Sequence, residues 1–235
     1  MAPEGPLGRL SALARERAAL AQGTRRTLER QLVGLDAAPS FIGALSRPDV
    51  AVIAELKRRS PSKGVLDAAL NAASRATVYA RGGAAALSIL TEPSEFGGSL
   101  ADLDAARSSV AIPLLRKDFI VDEIQLLEAR VTGASAVLLI ARALPAGRFV
   151  ELTHEARSLG LDVLLEVRDE RELERALAVP EGVIGVNNRN LESLQLDDAV
   201  SERLLRLIPG TRIAVYESGV RDVDGVRRAA ALGAD

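Results

Sequence analysis

Residues 131–140 read VTGASAVLLI, and the same arrangement recurs as RGGAAALSIL at 81–90 and SLGLDVLLEV at 158–167. In each, a glycine ends an amphipathic stretch and an apolar run begins two or three residues later. Glycine closes a helix by taking a left-handed conformation that other residues resist, and short apolar runs bounded by such a signal are strands covered on both faces. Three junctions of one kind imply a repeated unit. We expect strands near 51–57 (AVIAELK), 85–90 (AALSIL), 113–117 (PLLRK), 136–141 (AVLLIA), 162–167 (DVLLEV), 183–187 (VIGVN) and 212–217 (RIAVYE). Between them, VDEIQLLEARVTG and RDERELERALAV space apolar residues three and four apart, as helices packed on one side do. Alternating strand and helix points to a doubly wound sheet or a (β/α) barrel.

The 235 residues are 48% hydrophobic and 26% charged, enough for one core of single-barrel size. Lys and Arg number 30 against 32 Asp and Glu, a net charge of -2. No basic field therefore suggests nucleic acid, no polybasic run suggests a membrane surface, and an anionic ligand must be held locally. The absence of cysteine removes disulfides, thiolate metal sites and a cysteine nucleophile, and suits a reducing cytoplasm. The single histidine, His154, falls on a helix face in ELTHEARSLG. No apolar run approaches the roughly 18 residues of a membrane span. Residues 1–45 contain a basic stretch, GRLSALARERAALAQGTRRTLERQL, expected as a pair of helices with a solvated face that cap the bottom or rim of a barrel over 46–235. AALGAD at 230–235 repeats the junction signal with no strand after it. We therefore expect seven strand-helix units, with the chain ending before an eighth strand.

Strand parity sorts the charges. Side chains two apart share a face, so Ile53, Glu55 and Lys57 project together. The same phase pairs Lys117 with Leu115, Glu166 with Leu164, Asn187 with Gly185, and Glu217 with Val215. Each polar residue ends its strand. If those faces point inward, Glu55, Lys57, Lys117, Glu166, Glu217 and the Asn187 amide converge at the C-terminal mouth, where active sites of this architecture sit. One charge at a strand end is ordinary loop chemistry. Five at matched phase on four strands persist because they pair or serve a ligand.

Taken in order, VIAELKRRSPSKG, LSILTEPSEFGGSLADL, IPLLRKDFIVDEIQLLEAR, AVLLIARAL, LLEVRDERELERAL, IGVNNRNLESLQLD and YESGVRD resemble the successive strand-end motifs of the indole-3-glycerol phosphate synthase family, from about Phe41 to the last residue. The resemblance implies an α/β fold, a (β/α)8 TIM barrel with an N-terminal helical extension. It also implies a lyase of tryptophan biosynthesis that uses no metal or organic cofactor. Its small-molecule phosphorylated substrate, 1-(2-carboxyphenylamino)-1-deoxyribulose 5-phosphate, would lose carbon dioxide and water. On that resemblance Lys117 is the general acid on the substrate carbonyl, oriented by Glu55, and Glu166 is the general base of the dehydration. Asn187 and Glu217 orient, and Ser218 joins the catalytic set. Lys57 either binds a substrate anion or donates the later proton. The ESGV turn with Gly219 offers backbone N–H groups to the phosphate at the opening of a helix, assisted by Arg189. Pro61, Phe96, Phe119 and Leu138 resemble the wall for the anthranilate ring, and Ser60 and Pro61 lie in RRSPSKG, which resembles the mobile first loop that closes over the substrate.

Two features depart from the family pattern. Tyr216 stands where the family has a small residue, and its parity turns it outward against the helices, which implies local repacking. Strand eight and its short helix, which complete the family's phosphate site, are missing from the pattern. A complete barrel is expected to be a monomer, whereas a chain truncated at Asp235 would leave two strand edges free to pair or aggregate. A monodisperse, cooperatively melting monomer of this length would refute that. Phosphoribosylanthranilate isomerase, another phosphosugar barrel, resembles Cys/Asp chemistry that a cysteine-free chain lacks. Binding of a phosphorylated ligand without turnover, and a partner-binding role, are the other classes.

Overall fold

The computed structural model describes residues 3–235. Nine strands occur in chain order: β1 (Ile53–Leu56), β2 (Arg59–Ser60), β3 (Gly64–Val65), β4 (Ala86–Leu90), β5 (Leu114–Lys117), β6 (Ala136–Ile140), β7 (Asp162–Val167), β8 (Val183–Asn187) and β9 (Ala214–Glu217). Seven of them form one parallel sheet in the order β1-β4-β5-β6-β7-β8-β9, and β2 pairs β3 as a small antiparallel hairpin. All seven expected strands are present with ends within two residues of the expected ones. The helices are α1 (Gly5–Ala21), α2 (Arg25–Leu32), α3 (Phe41–Leu45), α4 (Ala72–Arg81), α5 (Pro93–Phe96), α6 (Leu100–Ser109), α7 (Glu123–Val131), α8 (Ala146–Ser158), α9 (Glu170–Leu177), α10 (Ala199–Leu204) and α11 (Val223–Ala231). None of the described helices is long and apolar enough to cross a membrane.

Local rules set these boundaries. Gly83, Gly133 and Gly160 take φ of 90°, 88° and 75°, the left-handed closure expected from the three junctions. At the opposite ends Asn71, Ser99, Asp122, Asp169 and Asp222 accept hydrogen bonds from the first turns of α4, α6, α7, α9 and α11. Every residue of β4, β6, β7 and β8 is buried, as strands covered on both faces require. The sheet curls on itself: Lys117 of β5 touches Glu55 of β1 and Glu217 of β9, which stand at opposite ends of the strand order. This is the curvature of the (β/α)8-barrel class. After α11 the Asp235 N–H donates to the Ala214 carbonyl at 3.0 Å, and the Asp235 carboxylate accepts from the Ala214 N–H at 2.8 Å.

The N-terminal helices divide between the two ends of the sheet. α3 plugs the N-terminal end, where Phe41 and Leu45 are fully buried and the N–H groups of Phe41 and Ile42 donate to Asp162 Oδ2 at 2.9 and 3.0 Å. α1 lies across the other end. The expected solvated face holds for α2, which has no buried residue, but not for α1, which buries Leu7, Leu10 and Ala14 in the main core and Ala18 against Ile124 and Leu127 of α7. Apolar positions at three- and four-residue spacing lie among its arginines, and the arginines drew the opposite expectation. Because Phe41 is packed on every side, Phe41→Ala should lower unfolding stability by about 3–5 kcal/mol in urea titration. It should leave the strand-end cluster intact.

Candidate active site

The β register carries the charged side chains to one place. Glu55 pairs with Ser88, Glu166 with Gly185, and Asn187 with Glu217, so these residues face inward together. Lys117 Nζ donates to Glu217 Oε2 at 2.7 Å and lies 3.5 Å from Glu55 Oε2. Lys57, one residue beyond β1, pairs with the other oxygen of Glu55. Ser218 Oγ donates to Asn187 Oδ1 at 2.9 Å, and the same oxygen accepts the Arg189 N–H at 2.9 Å. Ser218 holds φ at 67°, a conformation rarely adopted by side-chain-bearing residues, and Gly219 follows at 91°. Gly185 leaves room for the cluster: a Cβ there would fall 2.1 Å from Glu217 Oε1. That oxygen is buried without a hydrogen-bond partner.

Three carboxylates and two ammonium groups share this volume, and the imbalance decides the protonation. Burial raises the Glu166 carboxyl, and the Glu217 charge adds to it; Lys117 and Asn187 only partly oppose them, and the group is pushed up to about 8. With Glu166 protonated, two ammoniums face two carboxylates and the cluster is neutral. Burial would also raise Glu55, but Lys117 and Lys57 outweigh it and hold that carboxyl below its ordinary value. Burial alone would lower Lys117; Glu217, Glu55 and Glu166 together raise it instead, so it stays an ammonium throughout the neutral range. The deep end of the site is therefore a proton donor beside a carboxyl that also carries its proton at rest.

Around the cluster, Phe96 and Phe119 stand with ring centroids 6.4 Å apart, and Leu138 is buried in β6 on the inward face. A cavity of about 210 Å³ opens beside Glu166, bounded by Ile140, Arg142, Arg168, Arg189 and Leu191. Arg189 reaches it while donating to the Leu194 carbonyl at 2.8 Å. Glu172, also on its wall, is pushed up to about 7 by burial and by Asp169. A broader hollow at Arg26, Glu29 and Arg30 on α2 contains none of the inward charges.

Three expectations need correction or division. The charges of VIAELKRRSPSKG do not stay together: Glu55 and Lys57 face the cluster, whereas Arg58 forks onto Asp102 with two contacts of 2.7 Å. Arg59 donates to the carbonyls of Ser94 and Glu95. The segment with Ser60 and Pro61 is thus a hairpin tied by arginines, with Ser60 buried and Pro61 half-buried. Gly219 does not open a helix, because α11 begins at Val223 and Asp222 caps it, its carboxylate accepting the Gly225 N–H at 2.8 Å. Tyr216 turns outward as expected and meets Asp198 and Asn188, where burial and the Asp198 charge raise its phenol. Sequence reasoning missed Arg142 and Arg168 at the cavity, Asp102 under Arg58, and Glu92, whose side chain caps α5. The one available signal was Glu92-Pro93, an acidic residue directly before a proline that can open a helix.

Comparison with known proteins identifies the family. The family model described as indole-3-glycerol phosphate synthase matches residues 11–235, beginning well before Phe41. The indole-3-glycerol phosphate synthase of Paenarthrobacter aurescens is 50% identical over 189 residues, 80% of this chain and 70% of that protein. That of Nocardioides sp. is 51% identical over 193 residues, 82% and 73% of the two chains. That of Opitutus terrae is 46% identical over 233 residues, 94% and 88%. Among solved structures, the N-acetylmannosamine-6-phosphate 2-epimerase of Clostridium perfringens superposes with a TM-score of 0.56 at 13% identity, over 78% of this chain and 82% of that one; the likeness is one of fold.

The raised Glu166 makes a stability test. Unfolded, a glutamate releases its proton near its ordinary value of 4.5, whereas the folded group keeps it to about 8. The folded state binds more protons between those values, so this group's contribution falls as pH rises through the window. Glu166→Gln should gain stability over the parent by about 4 kcal/mol at pH 8 and almost none at pH 4.5. Urea midpoints at the two pH values measure it; an equal difference at both would remove Glu166 as the titrating group.

Proposed function

The chain belongs to the indole-3-glycerol phosphate synthase family, and on that premise we propose that it closes the indole ring of 1-(2-carboxyphenylamino)-1-deoxyribulose 5-phosphate. The products are indole-3-glycerol phosphate, carbon dioxide and water. The observation that carries the reading is the Lys117 ammonium between Glu217 and Glu55 at the mouth of the sheet.

Ring closure requires a carbonyl made electrophilic. The ring carbon bearing the carboxylate attacks it, and its oxygen takes a proton to become a hydroxyl; Lys117 is the donor, held in place by Glu217 and Glu55. The bond to the carboxylate then breaks and restores the aromatic ring. In the last step the hydroxyl leaves as water with a second proton, while a proton departs from the neighbouring carbon. Glu166 is the base of that step, once it has given up the proton it holds at rest, and Asn187 and Ser218 orient it. Lys57, sharing Glu55, is the second cation for either the substrate anion or the departing hydroxyl. Phe96, Phe119, Leu138 and Pro61 wall the ring, so that closure starts from a held geometry. Ser60, Arg189 and the Ser218-Gly219 turn face the anionic ends of the substrate.

The chain works as one unit, with residues 1–45 as extension and 46–235 as barrel. The reading takes the monomer, the state expected of a complete barrel, as the working state. A phosphorylated metabolite and a cysteine-free sequence favour the cytoplasm. Single-turnover conversion followed by indole fluorescence tests the assignment. Lys117→Ala should lose about 10²–10⁴-fold in the chemical step, and undiminished turnover would sink Lys117 as the acid. As a base Glu166 must be ionised, so kcat/KM should rise with pH through about 8, with a midpoint belonging to the cluster and not to one residue. A fall through the same range would make Glu166 an acid instead.

A further inference from the structure

α1 is laced to three of the loops that surround the cluster. Leu7 N–H donates to the Leu191 carbonyl beyond β8, Arg9 pairs with Glu95 beyond β4, and Gln22 donates to Asp122 beyond β5. One contact differs in kind. Arg17 Nη2 donates to Asp118 Oδ1 at 2.7 Å, and its Nη1 lies 3.5 Å from Glu92 Oε1. Both carboxylates are buried, with side chains 2% and 0% exposed. Each holds one wall of the ring site. Glu92 accepts the N–H groups of Ser94, Glu95 and Phe96, which fixes the turn that presents Phe96. Asp118 accepts the Phe119 N–H at 2.8 Å, directly after Lys117, and its second oxygen is held by Thr91 and Arg116.

We infer that Arg17 is a positioning residue: by neutralising Glu92 and Asp118 together, it sets the placement of Phe96 against Phe119, the paired wall on which the substrate's aromatic ring is held. The inference rests on the indole-synthase reading for its ligand and on these contacts for its geometry. Without Arg17, Glu92 would lose the cation it pairs with, and Asp118 would keep only Arg116, which also serves Glu128. A buried charge that loses its partner moves toward water, and these two carry the Phe96 turn and the Phe119 segment with them. The remaining α1 contacts, such as the half-exposed Arg9–Glu95 pair, would still dock the helix.

The test uses the full chain with Arg17→Ala, Arg17→Lys and Arg9→Ala, assayed well below each unfolding midpoint. With the carboxyphenylamino-deoxyribulose phosphate as substrate, Arg17→Ala should raise KM about tenfold and change kcat less than about threefold. Arg17→Lys, which keeps the charge but not the fork, should fall between it and the parent; Arg9→Ala should stay within about twofold of the parent. Inhibition by inorganic phosphate should be unchanged in all three. Hydrogen exchange should quicken at 92–98 and 117–121 in the Arg17 variants. Unchanged KM and exchange in a folded Arg17→Ala would overturn the proposal, as would an equal effect from Arg9→Ala, which would assign the role to helix docking as a whole. If Arg17→Ala does not fold, Arg17→Lys decides by the same two readouts, and parental values there overturn it. A parent without turnover defeats the reaction assignment alone, and the exchange comparison still decides the role of Arg17.

Discussion

Lys117 Nζ lies 2.7 Å from Glu217 and 3.5 Å from Glu55, and those two carboxylates stand on the strands at opposite ends of the sheet's order. Charges this deep persist only when paired, because each alone would have to be stripped of water. The pairing can form only if the sheet curls far enough to bring β9 and β1 to β5. The same contact therefore joins the architecture to the chemistry: it satisfies the inward charges, and it holds an ammonium where a carbonyl oxygen could reach it.

The remaining charges follow from that arrangement. Two ammoniums cannot neutralise three carboxylates, so the carboxyl with the weakest support, Glu166, keeps its proton, while the lysines hold Glu55 below its ordinary value and Lys117 pairs with Glu217. Gly185 supports this by absence, since its missing side chain is the space that Glu217 Oε1 occupies. Acid and base in such a cluster are set by neighbours and not by residue type. A change at any one of these positions would move the protons of the others.

Around the inner charges lies a second tier of ion pairs that connects loops and does not face the cluster. Arg58 with Asp102, Arg17 with Asp118 and Glu92, and Arg116 with Asp118 and Glu128 tie the hairpin, the N-terminal helix and two barrel loops together. Loops at the mouth of a barrel gain little from the core beneath them, so their shape depends on such contacts. The N-terminal helix belongs to this tier as much as to the extension that precedes the barrel.

The sequence by itself determined the repeat, the strands and the inward face. Period-two alternation and the glycines at 83, 133 and 160 are local properties, and strand parity carries Glu55, Lys117, Glu166, Asn187 and Glu217 to one side without any knowledge of the third dimension. Only the tertiary structure decided which charges meet. VIAELKRRSPSKG shows four charges in five positions, but whether Arg58 joins Lys57 or turns to Asp102 depends on a helix more than 40 residues away. The same holds for Arg17 and Asp118, 101 residues apart, and for the protonation of Glu166, which is set by burial and by a carboxylate two strands away. Backbone periodicity is encoded within a few residues. The partner and the desolvation of a side chain come from segments that only folding brings together.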